Sequence, residues 1–196
     1  FDTAHLKHNI SARAGRGASV VLIFAAAKFA LQLITTAILA RLVSPAEHGL
    51  VAMALPAIVI ATSVSEFGLV EAIIQKEKVT QRIASALFWT NTNLGLLSAS
   101  LIALLAWPAA QFYDDARIAP IFLALAPTIF FSALGAQFVA ILRRHMRVKE
   151  TETVAIIAIF GANFTAVAMA WTGFSYWAIA AQILLQPVFV LGLVVR

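Results

Sequence analysis

The feature that most restricts this chain is a sixfold recurrence of long apolar runs, at residues 18–40, 48–74, 83–107, 118–142, 153–171 and 175–195, with short polar joints between them. A bilayer's hydrocarbon core is about 30 Å thick and a helix rises about 1.5 Å per residue, so about 20 apolar residues cross it. Each run is close to that length. The runs are continuously apolar and do not alternate in ten-residue segments, which selects helices over a barrel. With 62% hydrophobic and 12% charged residues and a mean hydropathy of +0.92, 196 residues carry too little polar surface for a soluble fold. The predicted class is all-α integral membrane, with six transmembrane helices. Joints as short as SPAEHG and TGFSYW make neighbouring spans antiparallel. The predicted organisation is a basic N-terminal segment over 1–17 and a six-helix lobe over 18–196.

Lysine and arginine concentrate in alternate joints. Lys7, Arg13 and Arg16 precede the first run, Lys76, Lys78 and Arg82 follow the second, and Arg143, Arg144, Arg147 and Lys149 follow the fourth. The intervening joints hold only Arg41 and Arg117. Cytoplasmic loops carry the excess of such residues, so both termini, with Arg196, are predicted cytoplasmic. The formal charge of +5 and the pI near 10.1 then reflect basic edges that meet anionic membrane lipids, and no nucleic acid is expected as a partner. The first run is too long for the 7–15-residue apolar core of a secretory signal and is read as a span. No cysteine is present, so neither a disulfide nor a thiolate metal site is available. Beginning at Phe1 and stopping as a sixth run ends, the chain reads as part of something longer.

Several local patterns carry little. His5 and His8 lack a third ligand, so no metal site is expected. Asp114-Asp115 lacks the further carboxylates of a diphosphate-metal motif and reads as a solvated outer turn. The glycosylation patterns at Asn9 and Asn163 fall on a cytoplasmic segment and inside a span. No Gly-rich phosphate loop ends in Lys-Ser or Lys-Thr, which speaks against ATP hydrolysis by this chain.

Polar residues inside the runs are more informative. Lys28, within FAAAKFALQL, is expected about 16 Å from the cytoplasmic end of its span. A lysine near mid-bilayer costs about 2.5–3.5 kcal/mol on insertion scales, so it should face a partner or a wet cavity. Gln32, Thr35 and Thr36 follow at i+4, i+7 and i+8 on the same helical face. Glu66 is expected at a similar depth and is a candidate partner for Lys28. Asn91, Asn93, Ser132, Asn163 and Gln186 fall at comparable depths in the other spans. Each of these neutral residues is more simply explained as interhelical glue, worth about 0.6–2 kcal/mol. Pro56, Pro127 and Pro187 interrupt three spans and would kink them. Ala26 with Ala30 offers a face for close packing.

The stretches ILARLVSPAEHGLVAMA, SEFGLVEAIIQ and T-x5-A-x-FWTN from Thr80, with SALGAQFVAILRRHMRV and GFSYWAIAAQ, resemble bacterial oligosaccharide flippases. These are of the lipopolysaccharide and exopolysaccharide type, in the superfamily that includes the MATE drug exporters. The resemblance implies one six-helix lobe of a twelve- to fourteen-helix transporter, its N-terminal half, in the bacterial inner membrane. It also implies undecaprenyl-diphosphate-linked glycan as cargo, polysaccharide polymerase machinery as a partner, no enzymatic activity, and no cofactor beyond proton or sodium coupling. The expected substrate pathway comprises Lys28, Gln32, Glu66, Asn91, Asn93 and Asn163, with Arg143, Arg144 and Arg147 as a basic cytoplasmic edge. Lys28 would attract the diphosphate, and Glu66 would hold the lysine or titrate. A cation or drug antiporter using Glu66 as its binding carboxylate, and a complete six-helix unit working as a symmetric dimer, are the alternatives. The chain departs from the family in lacking a second lobe and in having Glu-His before Gly49.

Overall fold

The computed structural model describes residues 4–66, 81–144 and 148–195, and these are helical apart from short turns. The helices are α1 (Ala4–Leu42), α2 (Pro45–Glu66), α3 (Gln81–Leu104), α4 (Ala106–Phe112), α5 (Ile118–Arg144), α6 (Val148–Trp171) and α7 (Tyr176–Val194). Six contain stretches long and apolar enough to cross a membrane: Val21–Leu42, Pro45–Ser65, Ser85–Leu104, Ile118–Ala140, Lys149–Trp171 and Tyr176–Val194. The expected all-α architecture with six spans is thus present. The third span ends earlier than expected, at Leu104, and the chain continues into the short α4. The segment expected as a separate basic N-terminus is helical from Ala4 and runs unbroken into the first span. The end expected for the second span, at residue 74, lies outside the described residues.

Helix α5 is the axis of the bundle. Half of its spanning stretch is buried, against 6% for α1, and it packs on α3, α7, α2 and α4. Ile118, Ile121, Leu125 and Ile129 repeat at helical spacing along it and are fully buried. They meet Val51, Ala54 and Ile58 of α2, Ala99 and Ile102 of α3, and Ala180 of α7. In lipid there is little hydrophobic drive between helices, so close approach through small residues has to supply the attraction. Helix α6 shows this best, with Ala158, Ala162, Ala166 and Ala170 forming a buried stripe at four-residue spacing. Ala26 and Ala30, expected to serve such packing, are instead exposed. Between α3 and α5 the approach is closest at Gly95, where a Cβ would collide with that of Ala133. Helices α2, α5 and α7 run on through Pro56, Pro127 and Pro187, so none of these prolines ends its helix.

One end of the bundle, the turn end, carries three tight connections whose geometry follows from their local sequences. At the start of α2, Ser44 and Glu47 form a capping box. The Glu47 carboxylate accepts from the Ser44 N–H at 3.0 Å, the Ser44 hydroxyl accepts from the Glu47 N–H at 3.3 Å, and Pro45 occupies the first helical position. Helices α4 and α6 both end in paired backbone bonds of the Schellman type. After α6, Gly173 supplies the left-handed residue at φ +87°, with Phe174 N–H donating to Met169 at 3.0 Å and Gly173 N–H to Ala170 at 3.1 Å. After α4, Asp114 takes that role at φ +54°. Asp115 then accepts from the Arg117 backbone at 2.9 Å to start α5, and its carboxylate pairs with the Arg117 guanidinium at 2.7 Å.

These connections are also joined to one another. The Ser175 hydroxyl donates to Glu47, linking the turn before α7 to the cap of α2. Around them Trp107, Phe112 (82% exposed), Tyr113, Trp171 (80% exposed) and Phe174 face outward. Aromatic rings in such a girdle are suited to the membrane–water boundary.

Candidate functional site

Helix α1 is attached differently from the other helices. Among the described residues it lies along α6, and it does not pack along α2 although only Val43 and Ser44 join the two. Its contact stripe is Phe24, Lys28, Leu31, Thr35 and Leu39, at spacings of three or four residues. The fully buried members lie toward the turn end, where Leu39 and Val43 pack with Ala166 and Ala170 of α6 and Ala178 of α7. From Val21 to Ile34 no residue of α1 is fully buried.

Lys28 occupies that thinly packed half, and its ammonium meets the Glu152 carboxylate of α6 at 2.6 Å. The side chains are 28% and 17% exposed, so the pair is partly shielded. Lys28 is paired with Glu152, and the side chain of Glu66, the expected partner, lies outside the described residues. Lys28 lies well inside the first apolar run, whereas Glu152 stands four residues after the start of α6 at Val148. The lysine therefore reaches from within the span toward the basic end, which is how long cationic side chains keep their charge out of hydrocarbon.

The other expected residues do not form one layer. Asn91 is buried and donates to the Ala133 carbonyl of α5 at 2.6 Å, directly beside the Gly95 approach. Asn163 is buried between α6 and α7, where its carbonyl accepts from Gln182 at 2.8 Å. Both work as interhelical ties. Gln32, Thr36, Asn93 and Gln186 are exposed on the bundle surface, and Ser132 is half-buried. Thr35, on the face expected for Lys28, is buried and donates to its own helix at Leu31. Arg143 and Arg144 end α5, but their side chains and the whole of Arg147 lie outside the described residues.

Sequence reasoning missed Glu152 by a single position, because the fifth apolar run was started at Thr153. The available signal was a carboxylate at the edge of one span and a lysine inside another on the same side. The sequence sets this local arrangement through KETET, which places Glu152 near the N-terminus of α6, where the helix dipole favours negative charge. An ammonium has three N–H donors, and among the described residues one is directed to Glu152. A cation held this way can take an anion without being newly charged or desolvated from bulk water.

A bundle of helices with six stretches long and apolar enough to cross a membrane defines a multi-pass membrane protein. The chain belongs to the polysaccharide biosynthesis protein family, whose pattern it matches over residues 38–196. It is similar to the lipopolysaccharide biosynthesis protein WzxC of Escherichia coli K12, at 26% identity over 133 residues, covering 66% of this chain and 27% of that protein. It is also similar to the succinoglycan biosynthesis transport protein ExoT of Rhizobium meliloti strain 1021, at 26% identity over 155 residues, covering 79% of this chain and 31% of that protein. The chain therefore spans about a third of the length of these relatives. No solved structure matches it.

Proposed function

We propose that this chain is the N-terminal lobe of a lipid-linked oligosaccharide flippase. It would carry undecaprenyl-diphosphate-linked repeat units from the cytoplasmic to the periplasmic leaflet of the inner membrane, for lipopolysaccharide or exopolysaccharide assembly. Family membership carries this reading, because the matched relatives are named for lipopolysaccharide biosynthesis and succinoglycan transport. Those names support a carrier rather than a catalyst. The basic end is cytoplasmic by the lysine and arginine bias, which puts Lys28 and Glu152 near the leaflet where the cargo is loaded.

Moving a diphosphate into a low-dielectric layer is opposed by its charge, and a fixed cation lowers that barrier because attraction is poorly screened there. Lys28 is the cation, and proton or sodium entry supplies the drive. The reading is tested in cells lacking the full-length gene, by measuring lipid-linked oligosaccharide and the leaflet that holds it. Accumulation on the cytoplasmic leaflet, cleared by the wild-type gene and poorly by Lys28→Ala, is the expected result. No accumulation, with altered sensitivity to organic cations, would replace the flippase with an antiporter.

A further inference from the structure

We propose that the Lys28–Glu152 pair is a displaceable latch: Glu152 occupies the lysine while the site is empty, and an anionic diphosphate headgroup takes its place, freeing the inner half of α1 from α6. The inference rests on the flippase reading for the identity of the anion, but its evidence is the way α1 is held. At the turn end α1 is fixed by Leu39 and Val43 in an alanine-lined contact with α6 and α7, and the following turn is capped by Ser44 and Glu47. Over residues 21–34 it has half-buried Phe24, Lys28 and Leu31 against α6 and no fully buried side chain. Among the described residues, the 2.6 Å ion pair ties α1 to α6 in a stretch where no α1 side chain is fully buried. A helix anchored toward the turn end and tied by charge at Lys28 docks over residues 21–34 in a way that depends on that charge.

The exchange is chemically reasonable. A diphosphate presents more negative charge and more acceptor oxygens than one carboxylate, so it competes well for the ammonium. The released Glu152 remains near the N-terminus of α6, where the dipole still favours it. Glu152 is therefore a positioning residue that sets the empty state and the threshold for headgroup binding. It does not contribute to holding the cargo.

The test uses the full-length protein in lipid nanodiscs, with farnesyl diphosphate as a lipid probe and inorganic pyrophosphate as a soluble one. Glu152→Gln removes the competitor and should tighten farnesyl diphosphate binding by roughly threefold to tenfold, the range expected for loss of a partly shielded ion pair. Lys28→Gln should abolish that gain, so that the double variant binds no better than Lys28→Gln alone. Comparable tightening of both probes would identify the diphosphate as what is recognised, and tightening confined to the lipid probe would identify the membrane-anchored headgroup. Either supports the latch. Unchanged or weaker binding in Glu152→Gln would overturn it.

A second readout needs no charge-altering substitution. Spin labels on cysteines at the exposed positions Leu22 of α1 and Ile157 of α6 should move apart when farnesyl diphosphate is added to the otherwise wild-type protein. An unchanged distance at saturating probe would also overturn the latch. The flippase reading fails separately: loss of the leaflet phenotype with the latch intact would leave a diphosphate-binding membrane protein whose cargo is something else.

Discussion

The turn end and the basic end of this bundle are built on different principles. At the turn end, three connections of two to five residues are closed by a capping box, two Schellman motifs and a serine that bridges to a neighbouring cap. At the basic end, among the described residues, α1 approaches α6 through half-buried side chains and the Lys28–Glu152 ion pair. Caps and small-residue contacts act over short distances and have one geometry, so they hold helix ends in fixed register. A charge pair can exchange one partner for another. The contrast suggests a division of labour in which the turn end keeps the lobe together and the basic end responds to charge.

The comparison would be broken most severely by forcing helices apart beneath the caps. Gly95→Ala places a methyl where the Ala133 Cβ already sits, and both atoms are attached directly to backbone, so the α3–α5 contact must open. A loss of about 1–3 kcal/mol is expected from overpacking at such a site. It should appear as a lower unfolding midpoint in detergent, together with loss of the neighbouring Asn91 tie to Ala133. If Gly95→Ala unfolds like the wild type, the α3–α5 approach is not the close contact described.

A smaller effect should come from the cap itself. Ser44→Ala removes the hydroxyl that accepts from the Glu47 N–H, and caps of this kind are worth about 0.5–2 kcal/mol. Glu47→Gln keeps one acceptor oxygen for the Ser44 N–H, and the Ser175 hydroxyl can turn to accept from the new amide N–H, so it should cost less. Thermal unfolding of the two variants in one detergent checks the order. If Glu47→Gln is the more damaging, charge and not capping holds this turn.

The difference between the ends also explains what the sequence could reveal. Spans are legible because bilayer thickness turns length and hydropathy into a count, and the turn end is legible as short joints, although its caps, signalled locally by S-P-x-E and T-G-F-S, are not anticipated. The Asp114-Asp115 pair reads as a solvated outer turn, and the structure has a turn there. The site was less legible because depth along a span does not specify azimuth. Asn91, Asn93 and Gln32 were expected to share an inward layer, yet Asn91 is buried against α5 while Asn93 and Gln32 are exposed. Matched depth suggested Glu66 as the partner of Lys28, but a lysine side chain reaches along its helix, and packing of α1 on α6 brought Glu152 within range instead. Which of several spans a helix packs against is a long-range fact that no local pattern encodes.

The smallest expected effect separates charge from capping at the turn end. The Arg117 guanidinium beside Asp115, with the Arg117 backbone N–H, holds the Asp115 carboxyl below its ordinary range, and Asp115 in turn raises Arg117. A carboxyl depressed in the folded state contributes stability that is complete above its unfolded value, about 3.9, and is lost as pH falls through the lower folded value. Asp115→Asn retains an oxygen for the Arg117 backbone N–H and removes the charge together with the second acceptor that the guanidinium uses. Wild type and Asp115→Asn should therefore differ slightly in unfolding temperature at pH 7 and converge as pH falls through the depressed folded value. The pH 7 difference should also shrink in high salt, because this pair is open to solvent. The Lys28–Glu152 pair, partly shielded between two helices, should respond less to salt. A large, salt-resistant difference at Asp115 would erase the distinction between the two ends, since charge would then be structural at both.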